Sequence, residues 1–206
     1  NSRLSQIDFN NIPFGRVFSD HMLICNFKNN KWQTPEIVPY GPIEMTPATQ
    51  ALHYGQSIFE GMKAFKNDSN EILLFRKKDN LKRLNRSAKR LSIPEIPDDI
   101  FLSGLDQLLH LDQNWCIKDD NYSLYIRPFI FASAEYIKAC ESDEYKFVIN
   151  ELNEMESHEK TGLICDGNNL DDIYSSINSI LNNKKYLELG KNAKEFVNKF
   201  QWSKII

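Results

Sequence analysis

The sequence predicts a mixed fold, α/β or α+β, over its first 150 residues, followed by a mainly helical tail. Three observations carry this. Short apolar runs rich in aromatic and β-branched residues recur up to YKFVIN (145–150). Between them the apolar spacing switches to that of an amphipathic helix. Beyond Glu151 aromatic residues thin out, Asn and Lys rise, and the spacing stays helical.

Taken in order, HMLICNF (21–27) follows the turn-like Ser19-Asp20 and reads as a strand. EILLFRKK (71–78), approached through KNDSN, reads as another. NLKRLNRSAKRL (80–91) then changes period: Leu81, Leu84, Ala88 and Leu91 lie three or four apart, the stripe of a helix with Asp79 or Asn80 as its N-cap. The two prolines of SIPEIPDD (92–99) end it, and FLSGLDQLLHLDQNW (101–115) is a second helix. YSLYIRPFIFA (122–132) and YKFVIN are strands. In the tail, Ile173, Ile177, Ile180 and Leu181 give LDDIYSSINSILNN (170–183) helical spacing, and LELGKNAKEFVNKFQWSKII closes with more helix. No repeat is visible, and no Gly/Pro/Ser linker marks the change near residue 150.

The 206 residues suffice for one large domain or two small ones, and 41% hydrophobic with 26% charged residues is ordinary for a soluble protein. A net charge of -3 argues against a nucleic-acid or anionic-membrane partner. No apolar run approaches the roughly 20 residues of a membrane span. NSRLSQIDFN lacks the apolar core of a signal peptide and does not begin with Met, so a trimmed or partial chain is expected. Cys25, Cys116, Cys140 and Cys165 are scattered without a CxxC pair, and His21, His53, His110 and His158 form no ligand-spaced cluster. No metal site is expected, and a reducing compartment, the cytoplasm, fits best. No Walker loop, Rossmann fingerprint, nucleophile elbow or HExxH occurs.

Tyr125 and Arg127 stand two apart on a predicted strand, so both leave the same face. A phenol beside a guanidinium is a natural carboxylate clamp; equally, this is a strand with a half-buried Tyr and a solvated Arg. Pro128 sits uneasily in a central strand. Lys82, Arg83, Arg86, Lys89 and Arg90 either grip a phosphate or form the wet face of their helix, with Arg83 beside the apolar line. In LHYGQSIFEGMKAF (52–65), Gly55 and Gly61 point to positive φ or close backbone approach. His53 reads as a structural hydrogen-bonding residue, while Tyr54 and Phe59 are either pocket wall or core.

FGRVFSDHML (14–23), PYGPIEMTPATQALHYGQSIFEGMKAF (39–65), LFRKKDNLKRLNRSAKRL (74–91) and SLYIRPFIFA (123–132) together resemble the N-terminal half of branched-chain amino acid aminotransferases, pyridoxal-phosphate enzymes of fold type IV. The resemblance implies an α+β domain, a mostly antiparallel sheet with flanking helices, over residues 1–150. It also implies transamination between Leu, Ile or Val and 2-oxoglutarate, with pyridoxal 5'-phosphate as cofactor and a homodimeric assembly. Phe14, Tyr54, Phe59 and Tyr125 would form pocket wall, Arg127 would lie in the substrate-recognition region, and Arg83 would bind the cofactor phosphate. Branched aliphatic side chains carry no polar handle, so an apolar wall is how such a site recognises them.

In that family the Schiff-base lysine lies in a C-terminal domain following YKFVIN. Here ELNEMESHEKTGLICDGNNLDDIYSS and its continuation to Ile206 resemble instead the C-terminal end of a GT-B glycosyltransferase of the family-4 kind. The chain thus resembles two truncated families joined near Asn150, and no catalytic residue is assigned. Three readings are open: an incomplete aminotransferase inactive by itself, a non-catalytic fusion or dimerisation fragment, and a nucleotide-sugar-dependent glycosyltransferase fragment.

Overall fold

The computed structural model describes residues 2–9, 12, 15–119, 122–155, 169–182 and 184–197. It divides into two compact units, Asn1–Glu154 and Met155–Ile206.

The first unit is built on an eight-stranded sheet. Its strands are β1 (Phe18–Lys28), β2 (Lys31–Trp32), β3 (Glu36–Pro39), β4 (Ser57–Phe59), β5 (Met62–Lys66), β6 (Ile72–Leu74), β7 (Tyr122–Ala132) and β8 (Tyr145–Met155). They run in the order β2-β1-β8-β7-β5-β6, with β3 also on β1 and β4 also on β7. The pairings of β1 with β2, β3 and β8, of β4 and β5 with β7, and of β5 with β6 are antiparallel. Three helices flank the sheet: α1 (Gln50–Tyr54), α2 (Lys77–Arg90) and α3 (Asp98–Leu111). The expected α+β architecture is what forms.

The main core lies on one face of the sheet. Leu81, Leu84 and Ala88 of α2, with Phe101, Leu105 and Leu108 of α3, close onto Leu124, Ile126 and Ile130 of β7 and onto Phe147 and Ile149 of β8. Each fully buried Leu, Ile or Phe contributes about 1.5–3 kcal/mol by transfer from water. A smaller cluster of Met22, Phe131 and Val148 sits apart from it, with Phe129 packed alongside.

Several boundaries differ from the sequence reading, each for a local reason. α2 begins at Lys77 instead of Asn80, because Arg76 takes a left-handed turn (φ 54) and starts it. Asp79 is therefore not a cap; it lies in the first turn, paired with Arg76 Nε at 2.6 Å. Leu91 is not part of the buried stripe: it terminates the helix and is 43% exposed. The run expected as a strand over 71–78 keeps only Ile72–Leu74 extended. α3 stops at Leu111 and continues as a 3-10 turn over Gln113–Trp115. Asn85 holds the proline loop between the helices, donating to and accepting from the Ile96 backbone at 2.8 Å each way.

In the second unit the described elements are two helices, α4 (Leu170–Asn182), where the apolar spacing predicts it, and α5 (Lys185–Val197), in the closing stretch read as helix, whose residues 198–206 lie outside the described residues. Leu170, Tyr174, Ile177, Leu181 and Leu187 are exposed, whereas Leu189 is buried. Among the described residues no helix is long and apolar enough to cross a membrane, and no group of three or more His, Cys, Asp or Glu side chains is placed to hold a metal ion.

Candidate functional site

β4 and β5 run along β7 in one continuous register, Ser57–Phe59 against Phe131–Phe129 and Met62–Ala64 against Ile126–Leu124. Between them Glu60 and Gly61 interrupt the ladder. The cause is Pro128: its carbonyl accepts from Glu60 N–H at 2.8 Å, but proline has no N–H to return the bond. This is how β7 accommodates a proline away from its ends, and it leaves Glu60-Gly61 free to make side-chain contacts.

Alternation along β7 buries Leu124, Ile126 and Ile130 completely and turns Tyr125, Arg127 and Phe129 to the opposite face. The two-residue spacing therefore places Tyr125 and Arg127 together, as expected. Arg127 Nη2 donates to Tyr125 Oη at 2.9 Å, and the guanidinium carbon stands 4.5 Å from the centre of the Phe59 ring. Phe59 is 65% exposed, so aromatic contact fixes a cation in an open setting. Gly61 makes room for this group. A Cβ there would lie 2.2 Å from Tyr125 Oη and 2.9 Å from Cζ, so the phenol occupies the space that a side chain at 61 would fill.

Glu60 points the other way and is buried. Its carboxylate accepts from Arg83 Nε at 2.6 Å, from Arg83 Nη2, and from the Gly61 N–H at 2.8 Å. Burial alone would raise the Glu60 carboxyl, but the Arg83 and Gly61 hydrogen bonds hold it below the usual carboxylate value. Asn80 Nδ2 donates to the Gly61 carbonyl at 3.3 Å, so Gly61 is held through both its N–H and its carbonyl. Sequence reasoning missed Glu60 and Asn80. The signal for Glu60 was present: Ile58, Glu60 and Met62 share the inward parity, and an inward carboxylate needs a cation.

Arg83 extends from α2 with its side chain 57% exposed. Glu60 engages two of its five N–H groups, and three remain for an anion. An open groove of about 690 Å³ is lined by Arg83, Asn80, Lys63, Phe65 and Phe75. Phe59, Tyr125 and Arg127 do not line it, so the structure brings these three together but does not place Arg83 with them in one cavity. Tyr54 ends α1 and is 45% exposed, beside His53. Phe14 lies outside the described residues. His53 Nε2 is bonded to the Pro47 carbonyl at 2.7 Å, the structural role expected of it. Gly55 closes α1 at φ 66, the positive value anticipated for one of the two glycines.

No family model matches the chain. It is 43% identical over 157 residues to branched-chain-amino-acid aminotransferase 2 of Bacillus subtilis (strain 168), covering 76% of this chain and 43% of that protein. It is 46% identical over 143 residues to a probable branched-chain-amino-acid aminotransferase of Staphylococcus aureus (strain MRSA252), covering 69% of this chain and 40% of that one. Among solved structures, the T.th. branched-chain amino acid aminotransferase complexed with N-(5'-phosphopyridoxyl)-L-glutamate matches with a TM-score of 0.52 at 22% identity, over 71% of this chain and 44% of that one. That match shows the fold. The N-terminal segment thus has branched-chain aminotransferases as homologues, and the chain spans about two-fifths of the length of these curated relatives.

Proposed function

We propose that residues 1–150 supply the N-terminal half of a branched-chain amino acid aminotransferase site. The observation that carries this is the Arg127 guanidinium, held between Tyr125 and Phe59 above the gap at Gly61. A fixed guanidinium with an adjacent phenol binds a carboxylate, the group that amino acids and 2-oxo acids share. Phe59 and Tyr54, with Phe14, form an apolar wall for the side chain of Leu, Ile or Val. Arg83 fits a phosphate: three donors remain on it, at an exposed position, with its direction set by Glu60. Pyridoxal 5'-phosphate, when bound, supplies the electron sink for amino transfer. The residues of this chain bind and orient; no lysine here is assigned to proton transfer.

The rest of such a site lies in the part of the relatives that this chain does not span. In this reading the chain is a fragment, inactive alone, which acts in a cytoplasmic homodimer once completed. The exposure of Phe59, Phe65, Leu73 and Phe75 supports a surface that the remainder would cover.

The second reading, a junction near Asn150 with a tail related to the C-terminal end of GT-B glycosyltransferases, rests on the sequence resemblance of residues 151–206. Among the described residues, Asn150 Oδ1 and both amide atoms of Asn153 are buried and find no hydrogen-bond partner. Within that reading a fusion stands ahead of a glycosyltransferase activity, since 56 residues cannot complete a Rossmann-like donor site.

The test mixes leucine, 2-oxoglutarate and pyridoxal 5'-phosphate with the purified chain, alone and co-expressed with the C-terminal half of the Bacillus subtilis relative. No turnover and no dialysis-resistant visible absorption are expected alone. Turnover in the co-expressed pair, abolished by Arg127→Ala, is expected to follow. Turnover by the chain alone, or a co-expressed pair indifferent to Arg127→Ala, would overturn the reading.

A further inference from the structure

We propose that the Glu60-Gly61 pair is a positioning element that couples the two anion-binding arms, so that an anion on Arg83 is sensed at Tyr125 and Arg127. This rests on the preceding assignment of Arg83 as an anion ligand and goes beyond it.

The two arms leave the sheet region from different sides. Arg127, Tyr125 and Phe59 share the face that alternation turns away from the helices, while Glu60 is buried toward α2. A substrate carrying a carboxylate at one end and a cofactor phosphate at the other would require both arms in register, within a few tenths of an ångström. β7 fixes Gly61 only through its neighbours: Glu60 N–H bonds the Pro128 carbonyl at 2.8 Å, which returns no bond, and Met62 pairs with Ile126.

Side-chain contacts supplement the ladder here. Arg83 grips the Glu60 carboxylate with two N–H groups. The same carboxylate accepts from the Gly61 N–H at 2.8 Å, and Asn80 on α2 secures the Gly61 carbonyl. The Gly61 Cα is then the floor on which Tyr125 rests, with clearance too small for a methyl group. The Tyr125 hydroxyl accepts from Arg127 Nη2 at 2.9 Å. Every link from Arg83 to Arg127 is a hydrogen bond or a close contact, and none passes through solvent. An anion that pulls on the free N–H groups of Arg83 must shift or repolarise the Glu60 pair, and the Gly61 peptide transmits that shift to the phenol. Glu60 and Gly61 touch neither anion; they position the groups that do.

The experiment titrates inorganic phosphate into the full-length labelled chain and follows the Nε–H resonances of Arg83 and Arg127 by NMR. In the wild-type chain both resonances are expected to shift with one common midpoint. In Glu60→Gln, which preserves shape while removing the charge, the Arg83 shift is expected to persist and the Arg127 shift to be lost. Arg83 responding while Arg127 stays still in the wild type would overturn the coupling and leave the Arg83 assignment standing. An Arg83 resonance that ignores phosphate would overturn that assignment and the coupling with it. Unequal midpoints would also overturn the coupling, because they denote two separate binding events. The wild-type measurement decides the matter even if Glu60→Gln fails to fold.

Discussion

The helix pair α2–α3 and the helix pair α4–α5 begin from similar sequence patterns and end in different surroundings. Each carries apolar residues three and four apart. In the first pair the stripe is closed: Leu84, Phe101, Leu105 and Leu108 are all within 1% of complete burial. In the second, Ile177 is 50% exposed and Leu181 61%, while Ile173 and Ile180 are half-buried. Amphipathic spacing specifies a helix and the side it offers; it does not supply the surface that side must meet. For α2–α3 that surface is a sheet of the same ancestry. For α4–α5, Ile177 and Leu181 stay exposed.

The largest test of this difference is truncation of one apolar side chain in each pair. Phe101→Ala leaves a cavity in the main core and is expected to cost about 3–5 kcal/mol in urea unfolding. Ile177→Ala removes a side chain that is already half in water and is expected to change stability by less than about 0.5 kcal/mol. A comparable loss at Ile177 would show that α4 closes on a surface in solution, and the contrast would collapse.

A second test uses the segment where the two regions meet in sequence. Glu151 is buried, which pushes its carboxyl up to about 8 from an ordinary 4.5; the Asp112 carboxylate adds to this and the Ser19 hydroxyl eases it. That hydroxyl is engaged with the His21 carbonyl at 3.2 Å, and Asp112 is itself bonded to His21 Nδ1 at 2.7 Å. The sign follows from proton binding. Between pH 4.5 and about 8 the folded chain holds a proton that the unfolded chain has released, so this contribution is complete below 4.5 and is lost as pH rises toward 8. The slope approaches about 1.4 kcal/mol per pH unit at its steepest. Glu151→Gln should remove that slope, and Glu151→Leu should stabilise the fold above neutral pH. The check is the wild-type minus Glu151→Gln stability difference across this range; a flat difference would mean that Glu151 is solvated.

Much of the first unit was legible in the sequence because its signals are local. The stripe Leu81, Leu84, Ala88 sets α2, and β-prone composition sets β1, β7 and β8. Tyr125 and Arg127 share a face by parity alone. What was not legible depends on pairs far apart in sequence. The left-handed turn at Arg76 displaces the helix start and makes Asp79 its ion partner. The partner of Glu60 is 23 residues away on α2, and the tolerance for Pro128 lies in the strand opposite. The exposure of α4 and α5 was invisible for the same reason: burial belongs to a pair of surfaces, and the sequence displays one of them.

The smallest expected effect sharpens the comparison by separating exposure from tolerance. The face bearing Phe59 and Tyr125 is open, and by the logic applied to Ile177 a single added methyl there should be harmless. At Gly61 it should not be. A Cβ would stand 2.2 Å from Tyr125 Oη, and the residue cannot retreat because Glu60 and Asn80 hold its N–H and its carbonyl. Gly61→Ala should therefore displace the phenol and cost about 1–2 kcal/mol, the usual range for a forced shift in a packed setting. Shortening the obstruction should reverse it: in a Tyr125→Ala background the same substitution is expected to cost less than about 0.5 kcal/mol, and the non-additivity measures the contact directly. Additive losses would mean that Gly61 is needed for its own backbone and not for Tyr125. In that case the open face would be as permissive as α4, and the arrangement of Tyr125, Arg127 and Phe59 would owe nothing to the glycine beneath it.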